Sequence, residues 1–510
     1  MSISTANNIT IIGGGASASL VIINFVQSIQ QSQTLSKPYN ITVINQDEEF
    51  WKGIAWGNKS SINGLILTSV NEFLADPDKE LFCNWVKETL PEWTNYYQQN
   101  GGLLATQWLK KNIPLIQKND WNNIYIPRFL FGNYLQLQLN NALQYAANNN
   151  IIISKIIGKA VNIHQQNNNS YKIIIQNKSK ETTEIISEKV VVTIGSAPQK
   201  KLFNESSNKV LCINNLYEQN INENLQLLKN KLINDELKNI LVIGTNATAL
   251  ELIYLLEEDK LFNKLINKIV FISTSGKFPL ATAKQQAANV YAPHLSKIIE
   301  ENKYTINCLI TAAANDLQLS AATHVQMDTV HYIIKTVKHL LLNLSWKDQE
   351  MFMAVHGNEL SKIVRHAGEE YLTPLYNGIN TKKIEIIKGS FENISTTNHI
   401  AQLTYKNEEN NLTTHNTPFS VVINCSGSSD LHYTESELLH NLINSNLCKI
   451  NLSNKGIQVN DCFEASPNIY FFGPLLNGNY TAAIPYWQLE SISRIIKLAP
   501  KLVSCLLQKS

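Results

Sequence analysis

The sequence predicts an α/β protein built from two strand–turn–helix units, the second inserted in the first, with a helical insertion inside the second. A β-branched run at residues 9–12 leads into three consecutive glycines and then into an apolar segment. The same order of strand, glycine turn and helix recurs about 230 residues later, at residues 239–257. Residues 281–361 repeat apolar side chains at three- and four-residue spacing. These patterns predict two dinucleotide-binding, Rossmann-like domains.

The length of the chain bounds its division into domains. At 510 residues it exceeds one ordinary core, and about 150 residues per domain suggests two to four units. We expect the first part of one dinucleotide-binding domain at residues 1–205, an inserted dinucleotide-binding domain at 206–415, and the C-terminal part of the first domain at 416–510. The helical insertion is expected at about 281–370.

The composition argues against several partners and locations. A formal net charge of +2 gives no reason to expect nucleic acid or an anionic membrane as a partner. The seven cysteines are scattered and contain no Cys-x-x-Cys pair, which indicates reduced thiols and neither a disulfide framework nor a metal site. No apolar run approaches the roughly 18 residues of a membrane span, and no signal segment precedes the glycine turn. We therefore expect a cytoplasmic protein.

The first glycine turn predicts a dinucleotide cradle. Gly13 would allow the tight turn, Gly15 would let the backbone approach a pyrophosphate, and Ala18 would let the helix lie close to the sheet. Free N–H groups at the helix N-terminus would face the phosphates. The residues predicted to form the cradle are Gly13, Gly14, Gly15, Ala16, Ser17 and Ala18. The alternative is a glycine-rich turn that binds no ligand.

The next strand, at residues 40–44, ends where such folds place an acid on the ribose hydroxyls. This chain has Asn45, Gln46 and Asp47 there, and the sequence leaves open which of them makes the contact. A glycine-punctuated aromatic loop follows and includes Gly53 and Trp56. This loop either lines a flavin pocket or lies on the surface with its tryptophans as anchors.

Further elements follow from the apolar periodicity. A helix is expected at residues 76–90, and Pro127 and Arg128 lead into another that runs to about residue 147. Arg128 is predicted either to contact a cofactor or to form a structural ion pair. Strands are expected at residues 150–157, twice within 160–175, and at 188–194.

The second unit has a strand at residues 239–243, a turn that begins at Gly244, a helix over 250–257 and a strand at 268–272. Asn246 stands where the second glycine of the pattern belongs, and Ala249 stands at the third. The Asn246 side chain would either crowd a pyrophosphate or hydrogen-bond it. The second unit therefore either binds a nucleotide or is a vestigial fold unit that only packs against the rest of the protein.

The remainder of the chain returns to strands after the helical stretch. They are expected at residues 383–388, 400–405, 418–424 and 468–472, the last ending at Gly473 and Pro474, before a closing helix at 481–498.

With these elements placed, the chain resembles the FAD/NAD(P)-binding proteins related to class B flavin-dependent monooxygenases, including amino-acid N-hydroxylases. The resemblance covers roughly residues 8–490 and rests on several short motifs in the same order. Besides the first glycine turn, the matching positions are Gly53, Ala55, Trp56, Gly57, Pro127, Arg128, Phe131, Gly132, Tyr134, Leu135, Ser273, Gly276, Pro279, Trp346, Arg365, His366, Gly473, Pro474 and Leu475.

The chain also departs from the family pattern. The ribose acid of the family is Asn45 here, and the glycine of the second turn is Asn246. The arginines usual after Ser273, which suit a 2′-phosphate, are replaced by Thr274 and Ser275. Lys277 can substitute for them as a point charge.

The resemblance implies FAD on the first cradle, with its flavin ring near Trp56 and Gly473, and NAD(P)H approaching from the second unit. It implies a monooxygenase that uses molecular oxygen and a C4a-hydroperoxyflavin to N-hydroxylate a small amine or amino-acid-derived metabolite. Arg365 and His366 would bind a substrate carboxylate or the nicotinamide nucleotide, or lie on a surface helix. The alternatives are a flavin oxidoreductase without oxygen insertion and a non-catalytic nucleotide-binding sensor or scaffold. The oligomeric state is left open.

Overall fold

The computed structural model describes residues 7–32, 38–167, 169–203, 210–281, 290–322, 327–363, 365–397 and 400–508. The predicted border between residues 205 and 206 and part of the expected helical stretch, residues 282–289, lie outside the described residues.

The N-terminal part of the chain alternates a parallel sheet with helices. Its strands are β1 (Asn7–Ile12), β2 (Tyr39–Asn45), β3 (Ile151–Ile157), β4 (Lys159–Gln165), β5 (Tyr171–Gln176), β6 (Thr182–Ser187) and β7 (Lys189–Val192). Its helices are α1 (Ala16–Ser32), α2 (Gly53–Trp56), α3 (Val70–Phe73), α4 (Asp78–Glu88), α5 (Leu90–Asn100), α6 (Gly102–Gln117) and α7 (Arg128–Ala147).

The middle part contains the second unit, the helical insertion and a small antiparallel sheet. Its strands are β8 (Leu211–Ile213), β9 (Asn239–Ile243), β10 (Lys268–Ser273), β11 (Leu280–Ala281), β12 (His366–Ala367), β13 (Ile384–Lys388), β14 (Ser390–Thr397), β15 (Ile400–Lys406), β16 (Leu412–Thr414) and β17 (Val421–Asn424). Its helices are α8 (Ile221–Ile233), α9 (Ala247–Leu256), α10 (Lys260–Leu265), α11 (Pro293–Glu301), α12 (Ile306–Ala321), α13 (Met327–Leu341), α14 (Trp346–Met351), a π-helical turn (Phe352–His356), α15 (Gly357–Ile363) and α16 (Glu369–Asn380).

The C-terminal part returns to the first sheet. Its elements are a 3-10 turn (Leu431–Tyr433), α17 (Glu437–Asn444), β18 (Glu464–Ser466), β19 (Ile469–Phe471), a second 3-10 turn (Pro474–Leu476) and α18 (Ile492–Gln508). No helix in the described part of the chain is long and apolar enough to cross a membrane.

Two sheets define the architecture and confirm the predicted α/β fold class. The first has the strand order β18-β19-β7-β1-β2-β3 and the second has the order β13-β10-β9-β17-β8. Strands β1, β2, β3 and β7 pair in parallel, and so do all the strands of the second sheet. Since the second sheet is formed entirely between β7 and β18 in the chain, the second unit is inserted in the first.

The sheet memberships correct one predicted border. Residues 416–510 were expected to belong to the first domain, but β17 pairs in parallel with β9 and β8 of the second sheet. An apolar strand that ends at a glycine-containing turn fits either sheet, so its pattern alone does not reveal its neighbour. The second sheet therefore extends to Asn424.

The helical insertion has a core of its own, formed by α11 to α15 and separate from the cores beside the two sheets. Trp487 from the C-terminal part is buried in this core. Gly357 makes room for it, because a Cβ on Gly357 would lie 2.3 Å from the Trp487 ring. The expected closing helix at residues 481–498 is therefore wrong in position. Trp487 packs in the core of the helical insertion, and α18 begins only at Ile492.

The expectation that all cysteines are reduced thiols is also wrong. Cys462 and Cys505 form a disulfide, with their Cα atoms 5.5 Å apart. The two residues are separated by 43 positions, and only the packing of α18 beside the β18 segment brings them together. The spacing of the cysteines in the sequence therefore does not predict this disulfide.

Candidate functional site

The first unit, defined as β1, the turn at Gly13 to Gly15, α1 and β2, has the geometry of a phosphate cradle. Gly13 has a φ of +103°, and a Cβ there would lie 2.7 Å from the Thr193 backbone, so the turn packs directly on the end of β7. A Cβ on Gly15 would meet only ordinary contact, 3.4 Å from Gly53 Cα. Helix α1 begins immediately afterwards, and Ala18 is fully buried.

Asn45 closes this turn with its side-chain amide. The backbone N–H of Gly14 donates to Asn45 Oδ1 over 3.0 Å. Asn45 Nδ2 donates to the carbonyl oxygens of Asp47 and Glu49, each 2.9 Å away. A carboxylate at this position has no N–H to donate to those carbonyls. The amide is therefore needed to shape the turn. Of the other two predicted ribose ligands, Gln46 is exposed and Asp47 pairs with Lys59 over 2.9 Å.

This role predicts the effect of restoring the acid of the family. N45D should lower the free energy of unfolding by about 1–3 kcal/mol, because two partly buried hydrogen bonds are lost and a carboxylate faces two carbonyl oxygens. Urea unfolding of N45D and of Q46E, which alters the exposed neighbour, measures the difference. Equal stability of N45D and Q46E would contradict this role of the Asn45 amide.

Trp51 lies in the aromatic loop, and its role in holding the first turn was not predicted. It has a φ of +87°, which is a strained conformation for a bulky side chain. Its backbone N–H donates to the Gly14 carbonyl, and its own carbonyl accepts a hydrogen bond from Ser19 Oγ over 2.7 Å. Trp51 thereby ties the glycine turn to α1. No motif signals this role, because it depends on backbone atoms.

The aromatic loop and the C-terminal turn both reach the first unit. Gly53 has a φ of +68° and faces Gly15. A Cβ on Gly473, whose φ is +99°, would lie 2.7 Å from Ser17 Oγ, and Pro474 begins the following 3-10 turn. These contacts bring together Gly15, Gly53, Ser17 and Gly473, which are distant in the sequence.

Trp56 itself packs inward, against α7 and α3. Its ring centroid lies 4.8 Å from that of Phe131 and 5.7 Å from that of Phe73. Gly132 permits this close approach, since a Cβ there would lie 2.3 Å from the Trp56 carbonyl oxygen. Of the two predicted roles for this tryptophan, the ring contacts favour that of an anchor.

The residues of the first unit fit a dinucleotide. The N-terminus of the 17-residue helix α1 follows the turn at once, and helix N-termini bind phosphate. Gly195, three residues after the adjacent β7, has a φ of +86°, and a Cβ there would meet no described atom within 4 Å. The backbone is therefore accessible on this side of the turn.

Arg128 lies in a buried polar cluster rather than in a glycine turn. Its Nη2 pairs with Glu251 of α9 and donates to Ser60 Oγ over 2.5 Å. Tyr217 donates to the other oxygen of Glu251 over 2.9 Å, and burial raises the pKa of Tyr217. Gly64 gives the guanidinium its space, because a Cβ there would lie 2.5 Å from Arg128 Nη2.

The geometry thus favours the structural ion pair over the cofactor contact for Arg128. The pair joins α7 of the first unit's domain to α9 of the second unit. Glu251 was missed, although its single charge within the apolar helix Ala247–Leu256 was a usable signal.

The second unit consists of β9, the turn at Gly244 to Asn246, α9 and β10. It differs from the first unit in its turn. Gly244 has a φ of +112°, and a Cβ there would lie 2.2 Å from the Cys425 carbonyl oxygen. Asn246 Oδ1 accepts hydrogen bonds from the N–H groups of Thr248 (3.0 Å) and Ala249 (3.3 Å). The start of α9 is therefore capped by a side chain.

The loop after β10 is held by hydroxyl groups. Ser273 Oγ accepts hydrogen bonds from Thr245 Oγ1 over 2.9 Å and from the Gly276 N–H over 3.0 Å. Thr245 Oγ1 also lies 2.7 Å from the Lys277 carbonyl oxygen. The Lys277 side chain is exposed. Ser273 thus shapes the loop, and Lys277 is accessible to an anion.

Arg365 and His366 do not lie on a helix, which corrects one of their predicted roles. His366 belongs to the short strand β12, which pairs with β11, and its Nε2 lies 3.2 Å from Glu72 Oε2 of α3. The Arg365 side chain is exposed, while its carbonyl accepts a hydrogen bond from the Leu280 N–H. Trp346, the other family match in this region, is 59% exposed.

Comparison with known proteins defines the class to which this fold belongs. A family model described as FAD-NAD(P)-binding matches residues 10–197, which include the first glycine turn, Asn45 and Arg128. This part of the chain therefore matches an FAD-NAD(P)-binding domain. It is 30% identical over 511 residues to the uncharacterized protein Rv3403c of Mycobacterium tuberculosis, covering 98% of this chain and 95% of that one. The chain belongs to the same family as this mycobacterial protein.

Solved structures share the fold over nearly the whole chain. The ornithine N-hydroxylase KtzI of Kutzneria sp. 744 aligns with a TM-score of 0.56 at 11% identity, covering 99% of this chain and 100% of KtzI. The FAD-bound cadaverine monooxygenase DfoA of Erwinia amylovora aligns with a TM-score of 0.54 at 11% identity, covering 99% of this chain and 94% of DfoA. Both agree with the two-domain dinucleotide-binding architecture.

Proposed function

We propose that this protein is an FAD-dependent, NAD(P)H-using monooxygenase that N-hydroxylates a small amine or an amino-acid-derived metabolite. The observation that carries the proposal is the end-to-end likeness in fold to KtzI and DfoA, with two strand–turn–helix units in one chain. In the overall reaction, one atom of molecular oxygen enters the amine and the other leaves as water. NAD(P)H supplies the two electrons.

The first unit would hold FAD, and FAD supplies the acceptance of hydride and the activation of oxygen. Gly15 and the N-terminus of α1 would bind the pyrophosphate, and Gln46 is the exposed candidate for the ribose. The turn at Gly473, held beside Ser17, would border the flavin. Few acid–base side chains are needed for this chemistry, so the protein mainly orients the reactants and keeps water out.

The second unit would receive the nicotinamide dinucleotide. The candidates for its contacts are the turn that begins at Gly244, Ala249 at the start of α9, Ser273, and the exposed cation Lys277, with the Asn246 side chain at the turn where the pyrophosphate would approach. Arg365 is the exposed cation proposed to recognise a substrate carboxylate or the nucleotide, with His366 beside it. We assign residues 1–205 and 425–510 to the FAD domain and 206–424 to the NAD(P) domain. We also infer a cytoplasmic enzyme, because NAD(P)H is supplied there.

The test is product formation by the purified, FAD-loaded protein under air. L-ornithine and cadaverine are the first substrates to try, since they represent an amino acid and a simple diamine. We expect NADPH or NADH oxidation to increase with one such amine and a hydroxylamine to appear by mass spectrometry. Hydrogen peroxide as the only oxygen product, across a panel of amines, would instead indicate an oxidoreductase without oxygen insertion. If the protein does not bind FAD, both the monooxygenase function and the oxidoreductase function are overturned.

A further inference from the structure

The first N–H groups of α9 are already engaged by a side chain. In a dinucleotide cradle, the N–H groups at the start of the helix bind the pyrophosphate. Here the N–H groups of Thr248 and Ala249 donate to Asn246 Oδ1, over 3.0 and 3.3 Å. A pyrophosphate and the Asn246 side chain therefore require the same donors.

Asn246 is also held from the opposite side. Its Nδ2 donates to the Cys425 carbonyl oxygen over 2.7 Å, at the end of β17. Gly244 allows that carbonyl to approach the turn, because a Cβ on Gly244 would lie only 2.2 Å from it. The amide thus bridges the helix N-terminus and the neighbouring strand, and both of its polar atoms are satisfied. Turning the side chain away breaks three hydrogen bonds, two from the helix N–H groups and one to the Cys425 carbonyl oxygen.

The space in front of this amide is accessible to a ligand. Gly427 has a φ of +92°, and among the described residues the one atom within 4 Å of a Cβ added there is Asn246 Nδ2, at 4.0 Å. The glycine is therefore required by its backbone conformation and not by close packing. Thr274, Ser275 and Lys277, after β10, are exposed as well.

We propose that Asn246 sets the affinity of the second unit for NADH and NADPH by competing with their pyrophosphate for the N–H groups of Thr248 and Ala249. The inference rests on the proposed function, because it takes the second unit as the nicotinamide dinucleotide site. Binding turns the Asn246 side chain away from the helix, and the helix cap passes from the amide to the phosphate. The sequence departure from glycine is thus a device that weakens binding.

The direct test is N246G, which removes the competing amide. Glycine is itself tolerated at the first position before a helix, so helix α9 should be retained. We expect the Kd of the dinucleotide that the wild type binds to fall by about tenfold, because the phosphate no longer has to displace a side-chain hydrogen-bond acceptor. Isothermal titration calorimetry of the FAD-loaded protein with NADH and with NADPH, without oxygen, measures it.

A matched control and an opposite variant sharpen the test. Asn220 caps α8 in the same way, with Oδ1 accepting from the Glu223 N–H over 2.8 Å, so N220G should leave both Kd values unchanged. N246D keeps the acceptor and adds a negative charge, so it should raise the Kd by at least about tenfold.

The outcomes separate this inference from the proposed function. An unchanged Kd in N246G, with NAD(P)H oxidation intact in the wild type, overturns the inference alone. A raised Kd in N246G also overturns it, because Asn246 would then be a ligand contact. If neither the wild type nor N246G binds either dinucleotide, the inference and the use of NAD(P)H fail together.

Discussion

Replacement of Glu251 by alanine is expected to destabilise the protein by about 3–5 kcal/mol, because it leaves the guanidinium of Arg128 buried without its anionic partner. The side chains of Arg128 and Glu251 are only 16% and 4% exposed. Tyr217 and Ser60 do not replace the lost charge, since both are neutral hydroxyl groups. Urea unfolding, followed by circular dichroism, measures the change.

Two comparisons test whether burial of the Arg128–Glu251 pair causes the expected loss of stability. Lys388 and Glu408 form an ion pair whose side chains are 52% and 60% exposed, so E408A should cost at most about 1 kcal/mol. The double variant R128M/E251M should recover much of the loss, because no charge is then left buried. Equal stability of E251A and E408A would show that the pair does not join the two domains as described.

Substitution of Gly15 by alanine is expected to lower the affinity for FAD by about 100-fold while the fold is retained. The new Cβ would make only ordinary contact with Gly53, at 3.4 Å, so the structure accommodates it. The methyl group would nevertheless stand where the backbone approaches the pyrophosphate, and about two charge-assisted hydrogen bonds would be weakened. Equilibrium titration of the apoprotein with FAD gives the Kd.

The neighbouring positions supply the controls. Q27A changes an exposed residue of the same helix, α1, and should bind FAD as the wild type does. G13A should instead lower stability, because φ is +103° and the Cβ would lie 2.7 Å from the Thr193 backbone. Full FAD affinity in G15A would place the pyrophosphate away from this turn.

Much of the fold was predictable because the signals for it are local. The β-branched runs, the glycine turns and the helical periodicity located β1, β2, β9, β10 and the helical insertion. The pairing of β17 with the second sheet was not predictable, because buried parallel strands have similar apolar sequences whichever sheet they join. The start of α18 was missed for a related reason, since the burial of Trp487 is decided by a helical core more than 100 residues away.

The positions of the two turns were predictable from the sequence, but the contacts of their side chains were not. Asn45 and Asn246 stood out as departures from a glycine and acid pattern. What they do depends on their partners, such as the carbonyls of Glu49 and Cys425. The pairing of Arg128 with Glu251 spans 123 positions in the chain, so spacing cannot reveal it.

The most direct measurement of the central claim is the anaerobic mixing of the FAD-loaded protein with NADPH and, separately, with NADH, while the visible absorbance of the flavin is recorded. We expect at least one of the two nucleotides to bleach the flavin, because the proposed function places a hydride donor and its acceptor in one chain. A flavin that stays oxidised with both nucleotides would contradict it.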